Sequence, residues 1–196
     1  MLDRHFWENR YKEKQTGWDI GHISHPLKLF INKLKNKEQS ILIPGCGHAY
    51  EAEYLHLNGF KNVSIVDLSE IALNNFKKRV PDFPSNKIFN QNFFEHNLKY
   101  DLIIEQTFFC ALDPDLRKKY VSHCKSILNE NGFICGLLFD FDFKNDHPPF
   151  GSTLKEYKDL FETEFKILQL ELSPNSIEAR KGKELFFRFQ NLDSLT

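Results

Sequence analysis

Apolar side chains in the first 38 residues fall at helical spacing in two short runs. In DRHFWENRYKE, Phe6, Trp7 and Tyr11 lie near one another on a helix that Asp3 can cap, its carboxylate accepting an N–H of the first turn. The turn-rich QTGWDIGHISHP follows, and Pro26 opens a second helical run, PLKLFINKLK, with Leu27, Leu29, Phe30, Ile31 and Leu34 mostly on one side. From Ser40 the period changes. SILIP, NVSIVDL, NKIFNQ, YDLIIEQ and GFICGLLFDF are short and nearly continuous in apolar residues, as strands buried on both faces are. The amphipathic segments YEAEYLHLNG, SEIALNNFKKR and PDLRKKYVSHCKSIL alternate with them, a rhythm that predicts parallel strands joined by right-handed crossovers. After Phe143 the rhythm stops. KNDHPPFGS reads as a loop, TLKEYKDLF as a short helix, and FKILQLEL and ELFFRFQ, joined by polar SPNSIEARKGK, as an antiparallel pair.

The pattern therefore predicts one α/β domain over residues 1–196. Its core, residues 39–196, is a Rossmann-like seven-stranded sheet, mostly parallel, with a C-terminal antiparallel strand pair and helices on both faces; residues 1–38 form an N-terminal aromatic cap.

Composition narrows the function. Lysine plus arginine (26) nearly balances aspartate plus glutamate (27), which argues against the broad basic surface of a nucleic-acid binder and for a small-molecule partner. The charged, aromatic start is unlike a signal peptide, and the longest apolar run, FICGLLF, is too short to span a bilayer. Four cysteines without a Cys-x-x-Cys pair fit a reduced, cytoplasmic protein. His22 and His25 have no matching ligands at metal spacing, so no metal is expected. Twenty phenylalanines are an unusually aromatic choice, expected mostly in the core.

The chemistry concentrates in ILIPGCGHAYE. A chain with only nine glycines places Gly45 and Gly47 at the end of its most strand-like segment, where open α/β sheets bind ligands. Two residues without a Cβ allow a tight turn and let a ligand approach the main chain. Asp67, which ends the next strand, can accept hydrogen bonds from both hydroxyls of a ribose. The third glycine of the dinucleotide fingerprint is missing and no second mononucleotide half follows. With the C-terminal antiparallel strands, this favours S-adenosylmethionine over NAD, although a nicotinamide-dependent oxidoreductase uses the same glycine turn. At the end of YDLIIEQ, Glu105 and Gln106 are polar residues closing an apolar run, which marks them as candidates for a catalytic duty or for a hydrogen-bonded turn. Asp140 and Asp142 read as solvated loop carboxylates.

Four segments also carry a family resemblance: FWENRYKEKQTGWDIG, LIPGCGHAYEAEYLHLNGF with VDLSEIAL, YDLIIEQTFFCALDPDLR, and HPPFGSTLKEYKDLF. Together they resemble the thiopurine methyltransferase superfamily, and within it the plant and bacterial thiol and halide methyltransferases. The resemblance implies a methyl acceptor that is a small thiol or halide, with S-adenosylmethionine as cofactor. It implies that Trp7, Tyr11 and Trp18 fold over the cofactor, where an aromatic face attracts a sulfonium by about 0.5–2 kcal/mol; the alternative is that these rings only pin the helix to the core. It makes Gly45 and Asp67 cofactor contacts, and Asn92 and Phe93 the amide and ring that meet the adenine. Gln106 stands where relatives contact cofactor or substrate, and Thr107 and Phe108 line the substrate floor. The same fold without turnover, a non-catalytic S-adenosylmethionine-binding protein, is a further alternative.

Overall fold

The computed structural model describes residues 2–191, which fall into two compact units that divide after His96. In the first, helix α1 (Arg4–Lys12) starts where the sequence predicts: the Asp3 carboxylate accepts the Phe6 N–H at 3.0 Å. Helix α2 (His25–Asn32) stops short of its apolar pattern, because Lys33 and Leu34 donate only three residues back, to Phe30 and Ile31, and tighten the last turn. Then come β1 (Ser40–Pro44), α3 (Tyr50–Leu57), β2 (Asn62–Asp67), α4 (Glu70–Arg79) and β3 (Ile88–Asn90). Strand β2 pairs in parallel with β1 on one side and β3 on the other, Ile65 lying opposite Ile43 and Ile88. NKIFNQ yields only three strand residues, since Ser85–Lys87 coil into a 3-10 turn and the Asn90 amide turns back to the carbonyls of Asp67 and Leu68.

The second unit contains β4 (Tyr100–Gln106), α5 (Arg117–Ile127), β5 (Leu128–Phe139), α6 (Leu154–Phe161), β6 (Phe165–Leu172) and β7 (Glu184–Asn191). Helix α6 opens on a capping box, Thr153 and Glu156 each binding the other's backbone N–H. Strand β5 begins four residues before the expected Gly132: Leu128 already faces Tyr100, and a register shift between Tyr100 and Leu102 absorbs the extra residues. Strand β7 pairs antiparallel with both β5 and β6. The seven strands run β3-β2-β1-β4-β5-β7-β6, the mostly parallel order with an antiparallel C-terminal pair that the sequence predicts.

Nine of the twenty phenylalanines are buried, fewer than the sequence suggests; the others are half-buried apart from exposed Phe141. Phe161 packs its ring 4.7 Å from Phe189 and 5.8 Å from Phe109, with Phe165, Phe187 and Tyr157 buried around them. Such pairs add about 0.5–1.5 kcal/mol each beyond the area they bury. This aromatic mass leaves one narrow place. Gly136 on β5 faces Glu105 on β4 and Phe187 on β7, and a Cβ there would lie 2.3 Å from the Glu105 carbonyl oxygen. The backbone of β4 cannot yield without breaking its ladder. Gly136→Ala is therefore expected to lower the unfolding free energy by about 3 kcal/mol, the upper end for an overpacked core, measured as a drop in the urea midpoint.

Candidate active site

In the first unit the turn after β1 is built from alternating left-handed residues: Gly45, Gly47 and Ala49 have φ of 52°, 53° and 55°. Glycine adopts this conformation freely, whereas alanine does so at about 1–2 kcal/mol. Contacts hold it there: the Ala49 N–H reaches the Cys46 carbonyl at 2.7 Å, and Cys46 N–H reaches Val66 O at 3.3 Å. The decisive bond comes from Asp67. Its Oδ2 accepts the Gly47 N–H and its Oδ1 the Ser69 N–H, both at 2.8 Å. Burial pushes the Asp67 carboxyl pKa up, and the Gly47, Ser69 and Leu68 amides pull it part of the way back. A carboxylate offers about four lone-pair sites, so acceptor capacity remains for hydroxyl donors.

The aromatic helix covers this turn. A Cβ on Gly47 would lie 2.8 Å from the Tyr11 hydroxyl, so the missing side chain is the space Tyr11 occupies. The Trp18 indole N–H donates to that hydroxyl, and burial followed by the nearby Asp67 charge drives its pKa upward. The rings form a chain of edge-to-face contacts: Phe6 to Trp7 at 5.0 Å, Trp7 to Trp18 at 5.6 Å, Trp18 to Tyr11 at 5.9 Å and Tyr11 to His48 at 5.6 Å. Glu8 anchors α1 by accepting the Glu70 N–H at 2.5 Å, a carboxylate at the positive end of α4. Trp7, Tyr11, Trp18, Gly45, Gly47 and Asp67 are thus brought together. Asn92 and Phe93 lie on the turn after β3, just beyond Asn90, which faces Asp67 in the β2–β3 ladder. The Asn92 Oδ1 accepts the Phe94 N–H at 3.0 Å, and Phe93 is 4% exposed, so Phe94 shows more of its ring than Phe93 does.

In the second unit, Glu105 is fully buried, and its Oε1 accepts the N–H groups of Phe108 (2.6 Å) and Phe109 (2.7 Å). This carboxylate shapes the turn after β4. Within it Thr107 takes φ of 59°, its hydroxyl donating to Gln106 O, and the Cys110 thiol donates to Thr107 O at 3.3 Å. The Gln106 side-chain oxygen is buried with no hydrogen-bond partner, an acceptor suited to an ammonium donor. Burial pushes the thiols of Cys46 and Cys110 up, so neither is a nucleophile at neutral pH. Among the described residues, no group of three or more His, Cys, Asp and Glu could hold a metal ion.

A mostly parallel sheet with an antiparallel β7 inserted between β5 and β6, a glycine turn after β1 and an acid ending β2 define a methyltransferase of the S-adenosylmethionine-dependent class. The 1,6-didemethyltoxoflavin-N1-methyltransferase of Burkholderia thailandensis, solved with S-adenosylhomocysteine, superposes with a TM-score of 0.78 at 16% identity over 97% of this chain and 87% of that one. The magnesium protoporphyrin IX methyltransferase of Synechocystis, solved with S-adenosylmethionine, gives 0.72 at 12% identity over 96% and 97%. The family model for thiopurine S-methyltransferase matches residues 2–191, and the chain belongs to that family. Among its relatives, the probable thiol methyltransferase 2 of Arabidopsis thaliana is 27% identical over 190 residues, 94% of this chain and 84% of the relative. Thiocyanate methyltransferase 1 of Brassica oleracea is 26% identical over 193 residues, 95% and 85% respectively. Family membership displaces the nicotinamide alternative.

Sequence reasoning missed three long-range ties, all within the first unit. Asp19 reaches His48 Nε2 at 3.3 Å and accepts the Tyr50 hydroxyl, clasping the Trp18 loop to the start of α3. Asn90 takes the Arg4 guanidinium at 2.7 Å. Glu51, buried in the first turn of α3, accepts the Ser24 N–H, and burial pushes its pKa up. The signal for Asp19 was its place beside Trp18 in TGWDIG; the other two have no local signature. For Glu51 the sign is clear. The folded state binds this proton more tightly than the unfolded one, so stability falls as pH rises from the ordinary glutamate range through the raised folded value. Glu51→Gln keeps an acceptor for Ser24 and removes the charge. It is expected to raise stability by on the order of 1 kcal/mol at neutral pH and to converge with the wild type under acid, as read from urea midpoints across pH.

Proposed function

We propose that the chain methylates a small thiol, with iodide or a thiocyanate-like anion as secondary acceptors, and that its two units serve as one methyltransferase domain with residues 1–38 as the cap. The observation that carries this is the Asp67–Gly47 bond in a chain of the thiopurine S-methyltransferase family whose relatives include thiol and thiocyanate methyltransferases. S-adenosylmethionine, when bound, supplies a methyl group already activated by its positive sulfur. The chain's own work is binding, orientation and exclusion of water. In this reading Asp67 accepts the ribose hydroxyls with its remaining acceptor capacity, and Gly45 and Gly47 let the ligand approach the main chain. Trp7, Tyr11 and Trp18 offer ring faces to the sulfonium, and Asn92 and Phe93 meet the adenine. Gln106 gives its partnerless oxygen to the ammonium group. Thr107 and Phe108 form the acceptor's floor, and Glu105 positions them by holding the Phe108 and Phe109 amides and does not act as a base. Four free cysteines support a reducing, cytoplasmic setting, and no helix among the described residues is long and apolar enough to cross a membrane.

Asp67→Ala removes charged hydrogen bonds, so S-adenosylmethionine affinity is expected to fall by about 1.5–3 kcal/mol in calorimetry. Because Asp67 also holds two main-chain amides, the thermal midpoint should fall with it. Unchanged affinity in the folded fraction would place the ribose elsewhere.

Acceptors are tested by S-adenosylhomocysteine release with a panel of thiols, halides, alcohols and amines. With a cysteine-like thiol, kcat/KM should rise with pH towards about 8.5 as the thiolate accumulates, and with iodide it should stay flat. Methylation confined to hydroxyls or amines would overturn the thiol assignment.

A further inference from the structure

Trp18 lies in the stretch between α1 and α2, which forms no helix or strand, yet its ring is placed: the indole N–H donates to the Tyr11 hydroxyl, the group that fills the space above Gly47. Two hydrogen bonds shape this loop itself, Asp19 N–H to Thr16 O at 2.9 Å and Gly21 N–H to Asp19 Oδ1 at 2.7 Å. The Asp19 carboxylate also reaches out of the loop. Its Oδ2 stands 3.3 Å from His48 Nε2, and it accepts the Tyr50 hydroxyl. The Asp19 side chain is 19% exposed and that of His48 21%, so water screens this contact less than it would a surface pair.

His48 belongs to the glycine turn and is braced from behind. An Nη of Arg79 donates to its carbonyl, the Arg79 Nε donates to Glu53 at 2.8 Å, and the guanidinium carbon stands 4.7 Å from the Tyr50 ring. The imidazole stacks on that ring at 5.9 Å. His48 and Tyr50 are therefore held by α3 and α4, whereas Asp19 belongs to the loop. Because Trp18 adjoins Asp19 and is bonded to Tyr11, lifting the loop takes the indole away from the hydroxyl over Gly47. In the reading above, S-adenosylmethionine lies against Gly47 and Asp67 beneath these rings, so its departure requires that lift. We propose that Asp19, His48 and Tyr50 form a latch that holds the Trp18 loop down and sets how fast S-adenosylmethionine and S-adenosylhomocysteine leave. The latch rests on the S-adenosylmethionine reading and adds a release step to it. Asp19 and His48 are positioning residues that act through Trp18 and Tyr11.

The chain's only two tryptophans, Trp7 and Trp18, both lie in this assembly, so tryptophan fluorescence reads it without a label. Stopped-flow mixing with S-adenosylhomocysteine gives the association rate from the concentration dependence and the dissociation rate from the intercept. Asp19→Ala and His48→Leu are each expected to raise the dissociation rate about tenfold, and the double variant no further, since either change opens the same contact. His48→Gln keeps a side-chain N–H for Asp19 and should stay within about threefold of the wild type. A role confined to folding would lower the thermal midpoint and leave dissociation from the folded chain unchanged. Unchanged dissociation in both single variants, or single effects that multiply in the double, would overturn the proposal. Tyr50→Phe, which removes only a hydroxyl, replaces Asp19→Ala should that variant fold poorly. If S-adenosylhomocysteine gives the wild type neither a fluorescence change nor heat in calorimetry, the cofactor reading fails, and acrylamide quenching decides the latch in the free chain. Stronger quenching in His48→Leu than in the wild type supports it, and equal quenching refutes it.

Discussion

The bond from the Gly47 amide to the Asp67 carboxylate joins residues twenty apart in the chain, and the architecture of the first unit depends on it. It fixes a turn whose residues 45, 47 and 49 all have left-handed φ, one of them an alanine that resists it. It places Asp67 where burial opposes its charge, so the group is retained against a solvation penalty that the backbone amides only partly offset. Once the turn is fixed, the bare Cα of Gly47 makes the room that the Tyr11 hydroxyl fills, and α1 can lie down against α4 through Glu8. Cap, turn and strand end therefore form one hydrogen-bonded and aromatic assembly.

Strands β2 and β4 end with the same device. Asp67 and Glu105 each close an apolar run, and each carboxylate turns back or forward to hold two main-chain amides. The consequences differ. Asp67 divides its amides between both oxygens, whereas Glu105 puts both amides on one oxygen inside the protein. One keeps acceptor capacity at its turn, and the other is spent on shaping the loop after β4.

The strand ladder was legible because continuous apolar runs separated by amphipathic segments have few other solutions. What escaped was set by hydrogen bonds with distant partners. The early start of β5 at Leu128 depends on pairing with Tyr100, and the brevity of β3 depends on the Asn90 amide folding back to Asp67 and Leu68. Gly45, Gly47 and Asp67 could be named from spacing, but the fact that Asp67 holds Gly47 could not. Glu105 announced itself as a polar end to an apolar run, yet only the fold shows the amides it serves. Arg4 with Asn90 and Glu51 with Ser24 were invisible for the same reason, and Asp19 was marked only by its place beside Trp18. The expectation of a thiol acceptor came from resemblance and not from periodicity.

The cysteines bear on what such a protein must survive. An enzyme that handles a strong methylating agent is exposed to alkylation of its own side chains, and a free thiol is exposed to mixed disulfides. Both reactions require a thiolate that a reagent can reach. Cys110, Cys124 and Cys135 are buried, Cys46 is only partly accessible, and burial pushes all four thiols up. The soft sulfur of the protein is thereby kept chemically silent, a form of self-protection supplied by packing alone.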